Sequence, residues 1–521
     1  MNTSSPESES VAPRLSREEA EERFAELQKK LVPQWRLIRT LAQKEPQTIV
    51  VVPSMSMEMS SKGLVLQAYE ERFLFLLLLL RKVRARVIYV TSLPILPSTV
   101  EYYLGLLPGV IPSHAKERVF FVSAMDATGK PLSQKLLERP ALLARIRALI
   151  PNPDVAHLVP YNTTELEREL AVRLGIPMYG ADPKHFPFGT KSGGRRIFRE
   201  AGVPVPDGEE DVRTRADVAA ALARLRARKP GLQQAIVKLD DAVSGEGNAR
   251  VELSGLPEPG DPAELEALDE RLGTMKLEDQ GSTIDAYFAK LAERNGAVEE
   301  RIQGTRFESP SVQMRLTPLG ELELLSTHDQ LLGGPSGQSY LGCTFPADPG
   351  YAVTITNEAR KIGERLGKEG VIGRFAVDFV TVKTGDEPWR AYAIEINLRK
   401  GGTTHPYLTL EFLTDGDYDA DTGVFTAPSG RRKFYVATDH LESPAYRALT
   451  HERLFDRTIR EDLHFNQARQ TGVVFHMLSG LTEQGRLGLT AVGDSPGEAR
   501  ALYDRVGVAL DDEARDALRH G

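Results

Sequence analysis

Apolar residues follow two different rhythms along the chain. Before about residue 180, continuous β-branched and aliphatic runs at 48–52 (TIVVV), 86–91, 119–122 and 157–160 have the length and density of buried parallel strands. Between them, 64–82, 132–149 and 165–174 predict helices; Gly175 ends the last, and 176–179 predicts one more short strand. Ahead of the first strand, Ser16-Arg17-Glu18-Glu19 has the form of a capping box opening a charged helix that runs to about Lys30. Strand and helix in alternation predict an open α/β sheet of Rossmann-like type. No GxGxxG opens a helix in this region, so dinucleotide binding is not supported. The methionines of Met55-Ser56-Met57-Glu58-Met59 read as gap-filling residues beyond the first strand.

After Gly180 the rhythm becomes mixed. Helices are predicted at 191–201, 216–228, 284–294 and 357–368. Strands are predicted at 234–239, 249–253, 297–302, 311–317 and 321–327, followed by a hairpin of 375–382 and 390–397. The stretch 254–285 is acidic and rich in glycine and proline, and reads as an insertion or mobile loop. Past 415, strands at 432–438, 472–478 and 487–492 and a helix at 495–506 make a small α+β module. The chain therefore divides into a tail and helix (1–46, with 1–13 disordered by composition), an α/β domain (47–180), a mostly antiparallel α+β domain (181–415) and a C-terminal α+β module (416–521).

Composition narrows the classes of function. The net charge is −8 over 521 residues, without a strongly basic domain, which argues against nucleic acid as a partner. The longest apolar run, 73–80, is flanked by Arg72 and Arg81 and is too short to span a bilayer, so no membrane partner is expected. The N-terminus, MNTSSPESES, lacks the regions of a signal peptide, and one cysteine, Cys343, cannot form an internal disulfide. A reducing, cytoplasmic location fits. Cys343 and His476 both read as core residues, and His405 is balanced between a structural and a functional role.

The chemistry concentrates in the hairpin. Side chains alternate faces along a strand, so Asp378 shares a face with Ala376, and Glu395 with Ala393 and Asn397. Closing the turn 383–388 brings Asp378 opposite Ala393 or Glu395. Two carboxylates and an amide then converge. An all-oxygen set suits a hard cation such as Mg²⁺. Upstream, Lys238 on its strand precedes the small-residue loop Ser244-Gly245-Glu246-Gly247-Asn248. An ammonium followed by flexible backbone N–H groups is a way to hold polyphosphate.

In this order, the phosphate lysines, glycine loop, hinge-like Val298-Glu299-Glu300-Arg301-Ile302-Gln303-Gly304 and acidic hairpin resemble the ATP-grasp superfamily. The stretches KLDDAVSGEGNA (238–249), GGPSGQSYLGCTFPAD (333–348), EINLRKGGTTHPYLTLEFLTDG (395–416) and LGLTAVGDSPGEA (487–499) narrow the likeness. They resemble the peptide ligase family of pheganomycin biosynthesis over about 49–506. The resemblance implies a pre-ATP-grasp domain, an ATP-grasp fold and an ADP-forming ligase joining an amino-acid-like carboxylate to an amine or peptide, with ATP and Mg²⁺ as cofactors. It allows a homodimer. A phosphotransferase, or a non-catalytic nucleotide-binding protein, would use the same nucleotide residues.

By that resemblance Lys191 and Lys238 would hold phosphates under the loop Ser244, Gly245, Glu246, Gly247 and Asn248. Glu299, Arg301 and Ile302 would line the adenine side and Glu308 the ribose. Asp378, Glu395 and Asn397 would bind Mg²⁺, and Arg399 would meet the γ-phosphate or acyl phosphate. Many ATP-grasp ligases carry an arginine two residues before the first metal acid. Here that position is Ala376, and Arg374 or Arg315 would take over. The stretch 332–340 and the glycine loop are expected lids, and 399–405 (RKGGTTH) is expected to face substrate.

Overall fold

The computed structural model describes residues 16–39, 47–56, 62–242, 245, 247–333 and 339–520. It falls into two units, Met1–Pro183 with Met477–Gln484, and Lys184–His476 with Gly485–Gly521.

The first unit is built on a four-stranded parallel sheet, in which Gln47–Val52 lies between Ala85–Thr91 and Ala156–Pro160, and Val119–Ser123 forms one edge. Its β-branched strands are covered by helices through Leu136, Ile146 and Leu170, as their uninterrupted apolar character requires. The capping box at Ser16 is formed. Three expectations change in detail. The helix predicted over 64–82 is α-helical only at Gly63–Glu71 and continues as a 3₁₀ segment, Arg72–Arg81, with nearly every side chain buried. The helix predicted over 132–149 breaks into Leu132–Leu137 and Pro140–Ala148, because Pro140 cannot donate within a continuous helix. The strand predicted at 176–179 is a single bridge, Leu158 to Met178, since Pro177 lacks an N–H to extend the pairing. Met55 is buried, in keeping with a packing role; Met57, Glu58, Met59 and residues 1–13 lie outside the described residues.

Among the described residues the second unit holds two large antiparallel sheets and a two-stranded one, Asp417–Asp419 with Val424–Thr426. In the smaller of the two large ones, Gln234–Leu239 lies between Gly296–Glu300 and Asn248–Glu252. The helices Arg215–Arg228, Glu264–Leu272 and Ile284–Arg294 pack on it through Leu222, Leu225, Leu268 and Leu291. The expected loop 254–285 thus contains a helix and a short strand, Lys276–Leu277. The helix ELEALDERL has only a narrow apolar stripe, but Leu268 and Leu272 are buried and Glu264 pairs with buried Arg226.

The larger sheet has nine strands. Gly373–Lys383 sits between Pro310–Leu316 and Arg390–Asn397, and the ladder continues through Leu322–Gly333 and Ser339–Phe345. Only the ends of the stretch expected to be a lid, 332–333 and 339–340, belong to the strands Leu322–Gly333 and Ser339–Phe345, and 334–338 lie outside the described residues. Of the strands beyond 415, the three expected ones, Phe434–Glu442, Arg486–Gly493 and Gly472–His476, join this sheet and do not form one of their own.

Candidate active site

The hairpin closes with Asp378 directly opposite Glu395, and Ala376 opposite Asn397. A bulge between Asp378 and Phe379 puts Ala393 opposite Phe379. Asn397 Nδ2 donates to Asp378 Oδ2 at 2.9 Å. Burial, and then the charge of Glu395, push the Asp378 carboxyl up to about 6. Two carboxylates held face to face repel each other, so a cation between them relieves both.

One cation is already present. Lys191 is the first residue of the helix Lys191–Glu200, capped by Thr190, and its Nζ lies 2.5 Å from Glu395 Oε1. The next turn needs glycine. A Cβ at Gly193 would sit 1.8 Å from the carbonyl oxygen of Pro187. The helix start therefore fits tightly under the preceding chain, which fixes where Lys191 emerges.

Lys238 lies on the smaller sheet of the same unit, 5% exposed, with its Nζ 2.5 Å from Glu299 Oε2. Arg195, from the Lys191 helix, reaches the other oxygen of Glu299 at 2.9 Å and also holds Glu210. Burial raises the Glu299 carboxyl, but Lys238 and Arg195 outweigh it and the group lies below its usual range. The Glu299 side chain, expected on the adenine side, is thus engaged by Lys238 and Arg195. Arg301 donates to Gln234 Oε1 at 2.6 Å, at the end of the same strand, and Ile302 is half-buried beside it. Gly245 has φ +79°, and a Cβ at Gly247 would press on Ala242 at 2.3 Å. Both positions of the loop before Asn248 demand glycine. Ser244 and Glu246 lie outside the described residues.

Glu308 pairs with Thr381 on the far end of the hairpin strand, three positions from Asp378. Arg315 and Arg374 are register partners across neighbouring strands, and Arg315 is held by Glu323 with Nε at 2.7 Å. Arg374 acts on Lys400, whose ammonium is driven down to about 7, first by burial and then by the Arg374 charge. Arg399 is half-buried, and its charge lowers the Asp378 carboxyl against the burial effect. Arg374 and Arg399 therefore give the loop beyond Asn397 an excess of positive charge, to which Lys400 adds only while it is protonated.

Sequence reasoning missed Gln313. It is the register partner of Ala376, 2% exposed, and accepts from Thr404 Oγ1 at 3.1 Å. Its Nε2 is buried without a hydrogen-bond partner among the described residues. On the same strand, two residues away, Ser311 is the register partner of Asp378. Only the strand pairing reveals Gln313, since it lies far from Ala376 in sequence. The donor set of Asp378, Glu395 and Asn397 fits Mg²⁺: all oxygen acceptors, net negative, with cations nearby to take phosphate oxygens. The expectation that Cys343 is inert agrees with its burial, which pushes the thiol up to about 12.

Comparisons with known proteins agree with this architecture. Residues 185–260 and 263–421 match the family described as IQCH-like, ATP-grasp, and residues 453–506 match the PGM1 C-terminal domain. The chain is 30% identical to an L-propargylglycine–L-glutamate ligase of Streptantibioticus cattleyicolor over 452 residues, 84% of this chain and 88% of that one. It is 25% identical to IQ motif-containing protein H of Danio rerio over 394 residues, 67% of this chain but only 37% of that longer protein. A biotin carboxylase from Campylobacter jejuni, solved as a β,γ-ATP complex, superposes with a TM-score of 0.52 at 12% identity, covering 89% of this chain and 91% of its own; this likeness speaks to fold alone. The chain belongs to the ATP-grasp superfamily, as an ADP-forming carbon–nitrogen ligase in the peptide ligase family of the L-propargylglycine–L-glutamate ligase.

Proposed function

We propose that this ligase joins an amino-acid-like carboxylate to the amine of an amino acid or short peptide through an acyl phosphate. The observation that carries the site assignment is the Asp378–Glu395 pair with Lys191 on one of its oxygens. Lys191 and Lys238 hold the phosphates of ATP, and Glu299 with Arg195 keeps Lys238 in place. Arg301, Ile302 and Glu308 lie along the nucleoside side. Asp378, Glu395 and Asn397 hold Mg²⁺, which when bound neutralises phosphate oxygens and favours their displacement.

A carboxylate does not condense with an amine in water, because oxide is a poor leaving group. The substrate carboxylate oxygen attacks the γ-phosphorus and ADP departs. A neutral amine then attacks the carbonyl carbon, phosphate leaves, and the amine loses a proton. Negative charge gathers on oxygen in both steps. Arg399, Arg374 and Lys400 are the cations placed to stabilise it, in the role that an arginine at position 376 would otherwise have, and Gln313 adds a neutral donor. Arg315, already held by Glu323, has less to offer. The backbone of Gly401 and Gly402 lets substrate approach closely. Water must be kept from the acyl phosphate, and the glycine loop 244–248 is the element suited to close over it.

Among the described residues no helix is long and apolar enough to cross a membrane. The buried single thiol suits the cytosol. The reading is tested by an ADP-release screen of amino-acid-like carboxylates against amines and short peptides, with mass spectrometry of the products. Amide formation with ADP supports it. ADP with a phosphorylated acid or alcohol as the stable product overturns it.

A further inference from the structure

Three buried side chains of the second unit meet apart from the Asp378–Glu395 pair. His405 stands in the first turn of the helix Thr404–Thr414, Asp439 on the strand Phe434–Glu442, and His476 ends the strand Gly472–His476. His405 Nε2 and His476 Nε2 are 2.9 Å apart. Asp439 Oδ1 lies 2.7 Å from His476 Nε2 and 3.4 Å from His405 Nε2. The three side chains are 4–6% exposed.

Protons serve this triangle poorly while Asp439 is ionised, since one proton on His476 Nε2 has to be shared between Asp439 Oδ1 and His405 Nε2. Each imidazole nitrogen offers one in-plane direction, carrying either a proton or a lone pair. With both Nε2 atoms protonated, two N–H groups confront each other at 2.9 Å. With either one unprotonated, its lone pair faces the carboxylate. A single cation at the centre satisfies all three lone pairs at once. Ligands in adjacent positions around an ion at roughly 2.1 Å are about 3.0 Å apart in octahedral geometry and about 3.4 Å in tetrahedral geometry, and the observed 2.7, 2.9 and 3.4 Å lie within a few tenths of an ångström of that range. The fold also makes room. Gly488 is the register partner of His476, and a Cβ there would fall 2.0 Å from His476 Nε2.

We propose that His405, Asp439 and His476 bind one divalent transition-metal ion, distinct from the Mg²⁺ of the nucleotide site. Two imidazoles and one carboxylate favour Zn²⁺, Co²⁺ or Fe²⁺ over Mg²⁺, which prefers oxygen and retains water. The ion ties the end of the loop 399–405 to two strands at the other end of the large sheet. It thereby fixes the substrate-facing loop as a structural pin.

The test uses the full chain, stripped with chelator and titrated with Co²⁺ in excess Mg²⁺. The visible d–d absorption of cobalt is read, and zinc content is measured by inductively coupled plasma mass spectrometry after reconstitution. One equivalent of Co²⁺ or Zn²⁺ is expected in the parent protein and in Asp378→Ala. Affinity falls at least about a hundredfold in His405→Gln, Asp439→Asn and His476→Gln, each checked for folding by circular dichroism. Absence of cobalt absorption in the folded parent protein overturns the proposal whatever the variants do. So does stoichiometric binding that survives in folded His476→Gln and Asp439→Asn, or that is lost in Asp378→Ala.

Discussion

Lys191 Nζ lies 2.5 Å from Glu395 Oε1, so the head of one helix and the second acid of the hairpin share a charge. The pair sits where magnesium and phosphate would each claim one partner. Under the proposed assignment, Glu395 would exchange an ammonium for a metal and Lys191 a carboxylate for phosphate oxygens when Mg²⁺–ATP binds. Glu395→Ala removes the metal ligand from a position that is one-quarter exposed, so the fold survives. ADP formation is expected to fall by at least about a thousandfold with an unchanged circular dichroism spectrum, in line with the loss of a major electrostatic contributor. Undiminished ADP production by Glu395→Ala would contradict the metal assignment.

Glu299 is held between Lys238 and Arg195 in a pocket closed to water. Glu299→Gln leaves two cations buried against a neutral amide. A loss of roughly 3–5 kcal/mol of unfolding free energy is expected, as when one partner of a buried ion pair is removed. Urea denaturation measures it. A midpoint equal to that of the parent protein would show that the network is solvated.

Lys400 gives the loop beyond Asn397 a pH dependence. Its ammonium loses its proton near 7 in the folded protein, far below the ordinary lysine value that it regains on unfolding. Between those two values the unfolded chain binds more protons, so stability rises with pH across that window. Below about 7 the folded protein must bury a charged ammonium beside Arg374. Lys400→Met is therefore expected to raise the urea midpoint at pH 6 and to have a smaller effect, or none, at pH 9. A gain of equal size at both pH values would contradict the assignment.

Gly193 sets the start of the Lys191 helix, and its backbone leaves no room for a methyl group against Pro187. Gly193→Ala is expected to displace Lys191 and to raise the KM for ATP at least about tenfold. Unfolding of the whole unit is not required, since the strain is local. Coupled-enzyme kinetics at varied ATP read the effect. An unchanged KM would mean that the helix start is not positional for nucleotide.

The facing of Asp378 and Glu395 was legible in the sequence because they lie on one hairpin, where the two-residue period and a short turn fix which faces meet. Asp378 opposite Glu395 follows from local rules. The Lys238–Glu299–Arg195 network does not, because its members come from two strands and a helix whose register is set by the whole sheet. The same holds for Gln313 beside Ala376, and for Asp439 beside two histidines that sequence alone rated as ambiguous or core. The helix Glu264–Leu272 was hidden by its acidic composition, since two leucines and a buried Arg226–Glu264 pair are enough to dock it. The strand Ser339–Phe345 was hidden by the glycine-rich residues before it. Three C-terminal strands were recognised individually, but their membership of the large sheet depends on non-local pairing, and the short pair Asp417–Asp419 and Val424–Thr426 was missed.

The central claim is that the carboxylate is activated by phosphorylation before the amine attacks. It is tested most directly by supplying a carboxylate substrate, identified in the ADP-release screen, with both carboxyl oxygens as ¹⁸O. Amide formation should then place one ¹⁸O in each phosphate released alongside ADP. Phosphate without label, or label appearing in AMP, would contradict an acyl-phosphate route.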